Sequence, residues 1–148
     1  MDIIKFSRSQ GLYGCFSNFA YAPMEYNGLH FDSSEAAWQA QKCTNSEDIK
    51  QFCNLSASAA KRLGRSVTLR KDWEDVKYDI MVEVLKAKFT QNQNMLRVLL
   101  STQDKLLVED TTGWHDNIWG SCSCPRCAAT TGKNLLGKAL MQVRSDLK

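Results

Sequence analysis

The hydrophobic pattern of the chain changes period near Phe31. Before that point, short apolar pieces are punctuated by Gly11, Gly14 and the pair Asn27-Gly28. Asn-Gly supplies the backbone freedom of a two-residue hairpin turn, so Met24–Tyr26 and Leu29–Phe31 are predicted as paired strands. From Asp32 onward the spacing is helical. Asp32 with Glu35 makes a capping box that opens a helix through about Cys43, and Thr44 with Glu47 repeats the signal for Ser46–Asn54. An alanine-rich helix follows over Ser56–Leu63, stopped near Gly64. Asp72 caps the longest helix, whose stripe is Val76, Ile80, Val84, Leu85 and Phe89. Met95–Leu100 and Asn134–Leu147 are the remaining helices, and Leu106–Glu109 is one further strand. The pattern predicts an α+β fold, a mainly helical single domain with a small antiparallel sheet.

Composition narrows the class. A chain of 148 residues buries a core without disulfides or metal, and no linker, repeat or low-complexity segment divides residues 1–148 into more than one domain. No stretch approaches the roughly 20 apolar residues of a membrane span, and no signal-peptide pattern opens the sequence, so a cytoplasmic protein without membrane partners is expected. The six cysteines are then expected as reduced thiols. A formal net charge of +3 favours anionic ligands but falls short of the basic stripe of a dedicated DNA-binding module.

On the first helix, Glu35, Gln39 and Lys42 share one stripe at i, i+4 and i+7, and Ala36, Ala40 and Cys43 form a second, small one. The small stripe suits close packing, and the first presents a carboxylate, an amide and an amine to a polar ligand. A solvated face with an ordinary surface ion pair is the competing interpretation.

A longer ordered series adds to this. It runs through Phe16-Ser17-Asn18-Phe19, Ser34-Glu35, Gln39-Ala40-Gln41-Lys42, Gly64-Arg65 and Leu69-Arg70-Lys71-Asp72-Trp73. Lys88-Phe89, Leu107-Val108-Glu109, Trp119-Gly120, Gly132 to Gly137, Leu140-Met141 and Arg144 complete it. In order and spacing the series resembles the NADAR family, also called YbiA-like, over nearly the whole chain. The resemblance implies an N-glycosidase acting on the bond between a ribose carbon and an exocyclic amine. It implies two substrate classes: guanine carrying ADP-ribose, in DNA or RNA, and the ribosylamino-pyrimidine phosphates of riboflavin synthesis. A cognate ADP-ribosyltransferase is an expected partner of the first. A non-catalytic module that binds ADP-ribose or a related nucleotide is the third alternative, ranked last because the candidate catalytic positions retain reactive side chains. No cofactor is expected.

Lys42, Glu35 and Glu109 are the candidate catalytic residues. In one route a neutral Lys42 attacks the opened ribosylamine to form a Schiff base, with Arg65 as the nearby cation that lowers its pKa. In the other, two carboxylates flank an oxocarbenium-like transition state and Lys42 only holds phosphate. Either way Glu35 and Glu109 divide the acid and base roles in an order the sequence leaves open. Phe16, Phe19 and Trp119 are candidates to enclose the base, and Asn18, Gln39 and Asn134 to read polar edges. Ser17, Asp116 and Gly120 join them as expected substrate-binding positions, and Arg65, with Arg70 behind it, as a phosphate fork. Trp73 is expected in the core.

Two features depart from the family pattern. Ala36, Ala37 and Trp38 stand where many relatives carry a histidine and aromatics after the helix glutamate, which removes any histidine acid or base from that helix. A cysteine-containing loop, Ser121 to Ala129, replaces a short glycine-rich one. Cys124 and Cys127 have zinc-ligand spacing with Cys122 as a third, the fourth ligand coming from His115, Cys15, Cys43 or Cys53. An ordinary loop of reduced thiols, with no metal, is the expectation adopted.

Overall fold

The computed structural model describes residues 2–8 and 11–148. Among them, β1 (Ile3–Phe6) pairs in parallel with β4 (Leu106–Glu109), Ile3 opposite Leu106 and Phe6 opposite Glu109. The second sheet is the hairpin β2 (Met24–Tyr26) and β3 (Leu29–Phe31), antiparallel, with Asn27 and Gly28 both at positive φ in the turn as their side chains favour. β4 lies where the sequence predicts it; its parallel partner β1 does not follow from local pattern. A 3-10 turn at Leu12–Phe16 leads toward the hairpin.

Among the described residues there are six α-helices: α1 (Ser34–Ala40), α2 (Ser46–Lys50), α3 (Ala57–Gly64), α4 (Trp73–Gln91), α5 (Gln93–Ser101) and α6 (Leu135–Asp146). Their existence matches the sequence pattern, and three of their caps do not. Ser33 rather than Asp32 caps α1, its hydroxyl accepting from the Ala36 amide at 3.1 Å, while Asp32 lies 3.0 Å from the His30 ring. Asn45 rather than Thr44 caps α2, which ends at Lys50 instead of reaching Asn54. Asp72 gives α4 no side-chain cap because Arg70 holds its carboxylate, at 2.6 and 3.1 Å.

The centre of the molecule is α1. All seven of its residues are buried, and fully covered Ala36, Ala37 and Ala40 let its backbone approach the α3 and α4 it packs against. Phe16, Phe31, Phe52, Met81, Leu85 and Phe89 fill the surrounding core with Leu107 from β4 and Leu136 and Leu140 from α6. Trp73 is buried at the start of α4, as expected of a core residue. Among the described residues no helix is long and apolar enough to cross a membrane.

Candidate active site

The 17–19 segment, α1, α3, the end of β4 and the 114–119 loop enclose a cavity of about 340 Å³. From α1 come Glu35, Trp38 and Gln39, spaced i, i+3 and i+4. From α3 and the residue after it come Ser58, Lys61, Arg62 and Arg65, a second stripe at i, i+3, i+4 and i+7. Glu109 enters from the end of β4, and Trp114, Asp116 and Trp119 from the loop beyond. Ser17, Asn18, Phe19, Met81 and Arg8 complete the wall.

The two glutamates are held differently. Glu35, 8 % exposed, accepts from the Gln39 side-chain amide at 2.7 Å, and its own backbone amide donates to the Asn18 carbonyl. Burial raises its pKa, opposed by the Gln39 hydrogen bond and by Lys61 and Lys42, with Asp116 adding to the rise. Glu109 is pushed up to about 7 by burial, then by the neighbouring charges of Asp116 and Glu35, with Lys61 opposing. A carboxyl group at about 7 is divided between acid and base forms at neutral pH, which is what proton transfer to and from a reacting bond requires.

The Asn18 neighbourhood is braced from beneath. Ser34 Oγ donates to Asn18 Oδ1 at 2.7 Å, and fully buried Lys88 donates to the Ser17 carbonyl at 3.0 Å. Burial lowers the Lys88 pKa to about 8, with Cys15 opposing. Lys88 acts on the cavity through the backbone that carries Ser17, Asn18 and Phe19. Its amine is not among the cavity-lining groups.

Lys42 does not line the cavity either. Past Ala40 the chain tightens into i→i−3 bonds, Gln41 N to Trp38 O and Lys42 N to Gln39 O, each 3.1 Å. In such a turn residues i and i+3 eclipse, so Lys42 stays in line with Gln39 but lies past the end of α1, with its amine held aside. Its Nζ lies 3.4 Å from the Gly64 carbonyl and 5.6 and 5.9 Å from the ring centres of Trp38 and Trp73. Burial lowers its pKa; Glu35 opposes this and Arg65 reinforces it, the role anticipated for that arginine. The lysine on the cavity wall is Lys61.

Four other residues expected at the ligand have partners within the fold instead. Phe16 is fully buried and packs with Phe6, Tyr13 and Phe89, so it belongs to the core. Asn134 clamps β4: its Oδ1 accepts from the Glu109 amide at 3.1 Å, and its Nδ2 donates to the Leu107 carbonyl at 2.8 Å. Gly120 is where two backbones meet, since a Cβ there would stand 2.7 Å from the Glu109 carbonyl and 2.3 Å from Thr111 Cγ2. Arg70 is occupied by Asp72 rather than by a phosphate site.

Sequence reasoning missed Trp38, Lys61, Arg62, Trp114, Ser58, Met81 and Arg8 as cavity residues. The α3 stripe was open to the same helical-spacing argument that singled out Glu35 and Gln39. Trp38 stacks edge-on to Trp119, ring centres 5.1 Å apart, and donates from Nε1 to the Lys77 carbonyl. The cavity is therefore lined by aromatic rings, by cationic side chains of α3 and by two carboxyls whose pKa values burial raises. That arrangement suits a flat base and an anionic sugar joined by a bond that breaks with acid–base help.

Comparisons with known proteins show the family and the fold. The family model of the NADAR domain matches residues 5–148. The chain is 37 % identical over 148 residues to a protein of Escherichia coli named N-glycosidase YbiA, covering 98 % of this chain and 88 % of that one. It is 33 % identical to a chloroplastic riboflavin biosynthesis protein PYRR of Zea mays, covering 99 % of this chain and 25 % of that much longer one. The NMR structure of E. coli YbiA matches with a TM-score of 0.85 at 38 % identity, over 99 % of this chain and 84 % of the other.

Proposed function

The chain belongs to the NADAR family, and on that premise we propose that it is an N-glycosidase that hydrolyses the ribosyl C–N bond of ADP-ribosylated guanine in nucleic acid, releasing ADP-ribose. The observation that carries the proposal is the pair Glu35 and Glu109, within electrostatic reach of each other in one cavity, with Glu109 at about 7. The name N-glycosidase borne by a relative alignable over nearly the whole chain supports the reaction class.

The cavity divides the substrate by chemistry. Arg62, Arg65 and Lys61 on the α3 side suit a pyrophosphate, with charge-assisted hydrogen bonds from the guanidinium forks. Trp38, Trp119 and Phe19 suit the guanine. In its acid form Glu109 protonates the departing amine. The second carboxylate, Glu35, stabilises the sugar cation and takes a proton from the attacking water. A Schiff base through Lys42 needs its amine to leave the ledge formed by Trp38 and Trp73, so the two-carboxylate route is the one the geometry favours.

The match to a riboflavin biosynthesis protein supports a second substrate, a ribosylamino-pyrimidine phosphate, which carries the same bond beside a single phosphate. One experiment separates the two. Purified protein is incubated with guanine-ADP-ribosylated DNA and, separately, with the pyrimidine phosphate, and the products are resolved by mass spectrometry. Release of ADP-ribose by wild type but not by Glu109→Gln is expected. Turnover of the pyrimidine alone transfers the assignment to the second substrate, and turnover of neither at micromolar enzyme sinks the glycosidase proposal. Borohydride trapping in the same reactions gives no adduct on the two-carboxylate route and an adduct on Lys42 if the Schiff base forms.

A further inference from the structure

The loop Cys122 to Cys127 and its neighbour His115 lie beside the cavity but outside the chemistry just described. All three cysteines are free thiols. The His115 Nδ1 lies 3.3 Å from Cys122 Sγ, 3.4 Å from Cys124 Sγ and 3.6 Å from Cys127 Sγ. These four ligand atoms all lie within 4.8 Å of one another. A single imidazole nitrogen has either one proton or one lone pair to offer, so it cannot satisfy three sulfurs by hydrogen bonding. A tetrahedral zinc ion with Zn–S near 2.3 Å and Zn–N near 2.0 Å has N···S edges of about 3.5 Å, the spacing seen here.

We propose that His115, Cys122, Cys124 and Cys127 form a structural Cys₃His zinc site that clasps the wall of the cavity. Three thiolates and an imidazole are a soft donor set that selects zinc over magnesium or calcium, and four protein ligands leave no position open for catalysis. Binding releases the protons of the three thiols to solvent, leaving three thiolates and a neutral imidazole on the metal.

The surrounding backbone is arranged to present these atoms. His115 has φ of 60°, unusual for a residue with a Cβ, and is fixed by its amide donating 2.7 Å to the Thr111 carbonyl. The Cys122 amide is held by Asn117 Oδ1 at 2.9 Å and the Ser123 amide by Thr112 Oγ1 at 3.1 Å. The Cys124 amide points at Cys122 Sγ, 3.5 Å away, a contact that stabilises a thiolate. Gly132 closes the loop, since a Cβ there would stand 2.5 Å from the Gly120 carbonyl. Between His115 and Cys122 lie Asp116 and Trp119, which face the cavity. A metal bridging the two ends therefore fixes that wall whichever substrate is used.

The test uses the full chain purified without chelators. Elemental analysis is expected to find one zinc per chain, and thiol titration to show three fewer reactive thiols than in the chelated protein. Replacing zinc by cobalt is expected to give the visible bands of a tetrahedral site with thiolate charge transfer. Cys124→Ser and His115→Ala are expected to abolish those bands and to weaken zinc binding more than about a hundredfold. Cys53→Ser, outside the cluster, keeps both and shows that loss of one thiol is tolerated. Absence of zinc together with failure to take up cobalt overturns the proposal, as does a cobalt spectrum unchanged in the folded Cys124→Ser variant or a disulfide within the loop.

Discussion

One turn apart on α1, Gln39 donates its side-chain amide to Glu35 at 2.7 Å while its own Oε1, buried, has no partner among the described residues. The donated hydrogen bond favours the ionised carboxylate and opposes the rise in pKa that burial causes. Gln39→Leu removes it, so the Glu35 pKa rises further. If Glu35 works as the base, the acidic limb of the kcat/KM profile moves to higher pH, and a shift of one unit costs about tenfold at pH values below that limb. An unchanged limb removes Glu35 from the base role.

Gly64 bears on the same pair. A Cβ at this position would stand 2.0 Å from Gln39 Oε1 and 2.7 Å from its Cδ. Gly64→Ala is expected to cost roughly 1–3 kcal/mol by overpacking and to dislodge the amide from Glu35. Its pH profile should therefore shift in the same direction as that of Gln39→Leu. A stability loss with an unmoved profile means that the amide finds another way to reach Glu35.

Glu109 gives the clearest pH signature. Its pKa is about 4.3 in an unfolded chain and about 7 here, so the folded state binds the extra proton between those values. Stability from this group is intact below about 4.3 and is lost as pH rises through about 7. Glu109→Gln lacks that loss. Relative to wild type it should gain on the order of 1–3 kcal/mol in stability at pH 8 and little at pH 4, measured by denaturant unfolding, while its kcat falls by about 10²–10⁴. If Glu109 is the general acid, the alkaline limb of wild-type activity is expected near 7. Equal stability differences at both pH values contradict the raised pKa.

The parts of this site that were legible in the sequence are those set by local chemistry. Asn27-Gly28 specifies its turn through two positive-φ positions, and the Glu35–Gln39 stripe follows from helical spacing alone. Lys42 lies past the end of α1 with its amine 3.4 Å from the Gly64 carbonyl, a partner that no periodicity reveals. β1 was missed because its partner β4 lies about a hundred residues away in parallel register, a pairing without any hairpin signal. Asn134 looked like a reader of substrate and is a clamp, since only the fold shows that β4 runs past it. The sequence leaves the fourth member of the cysteine cluster open among several residues, and the fold decides it by setting His115, at φ of 60°, beside the loop.

Asn134 separates structure from ligand binding. Its side chain makes two hydrogen bonds to β4, to Leu107 and Glu109, and Gly137 packs so closely that a Cβ there would meet the Leu107 carbonyl at 2.1 Å. Asn134→Ala leaves a buried carbonyl and an amide without partners, at a cost of about 2–3 kcal/mol. ADP-ribose affinity measured by calorimetry below the unfolding transition should change by less than about threefold, and kcat should fall because Glu109 loses its anchor. A large loss of affinity would return Asn134 to the ligand contacts.

Arg65 offers the complementary case. It is exposed, stands at the end of the α3 stripe on the cavity wall and, unlike Arg70, has no carboxylate partner among the described residues. A guanidinium in that position is available to a phosphate, and a charge-assisted hydrogen bond contributes about 1.5–3 kcal/mol. Arg65→Ala should raise KM for the ADP-ribosylated substrate roughly 10- to 100-fold with kcat changed far less, since the group lies away from the breaking bond. The wild-type KM should climb with added salt more steeply than that of the variant, because screening weakens a contact that only the wild type makes. Arg65→Lys keeps the charge without the fork and should recover part of the affinity. A fall in kcat with KM unchanged would instead place Arg65 at the reacting centre, acting through the lowered pKa of Lys42, which would return the Schiff-base route to first place.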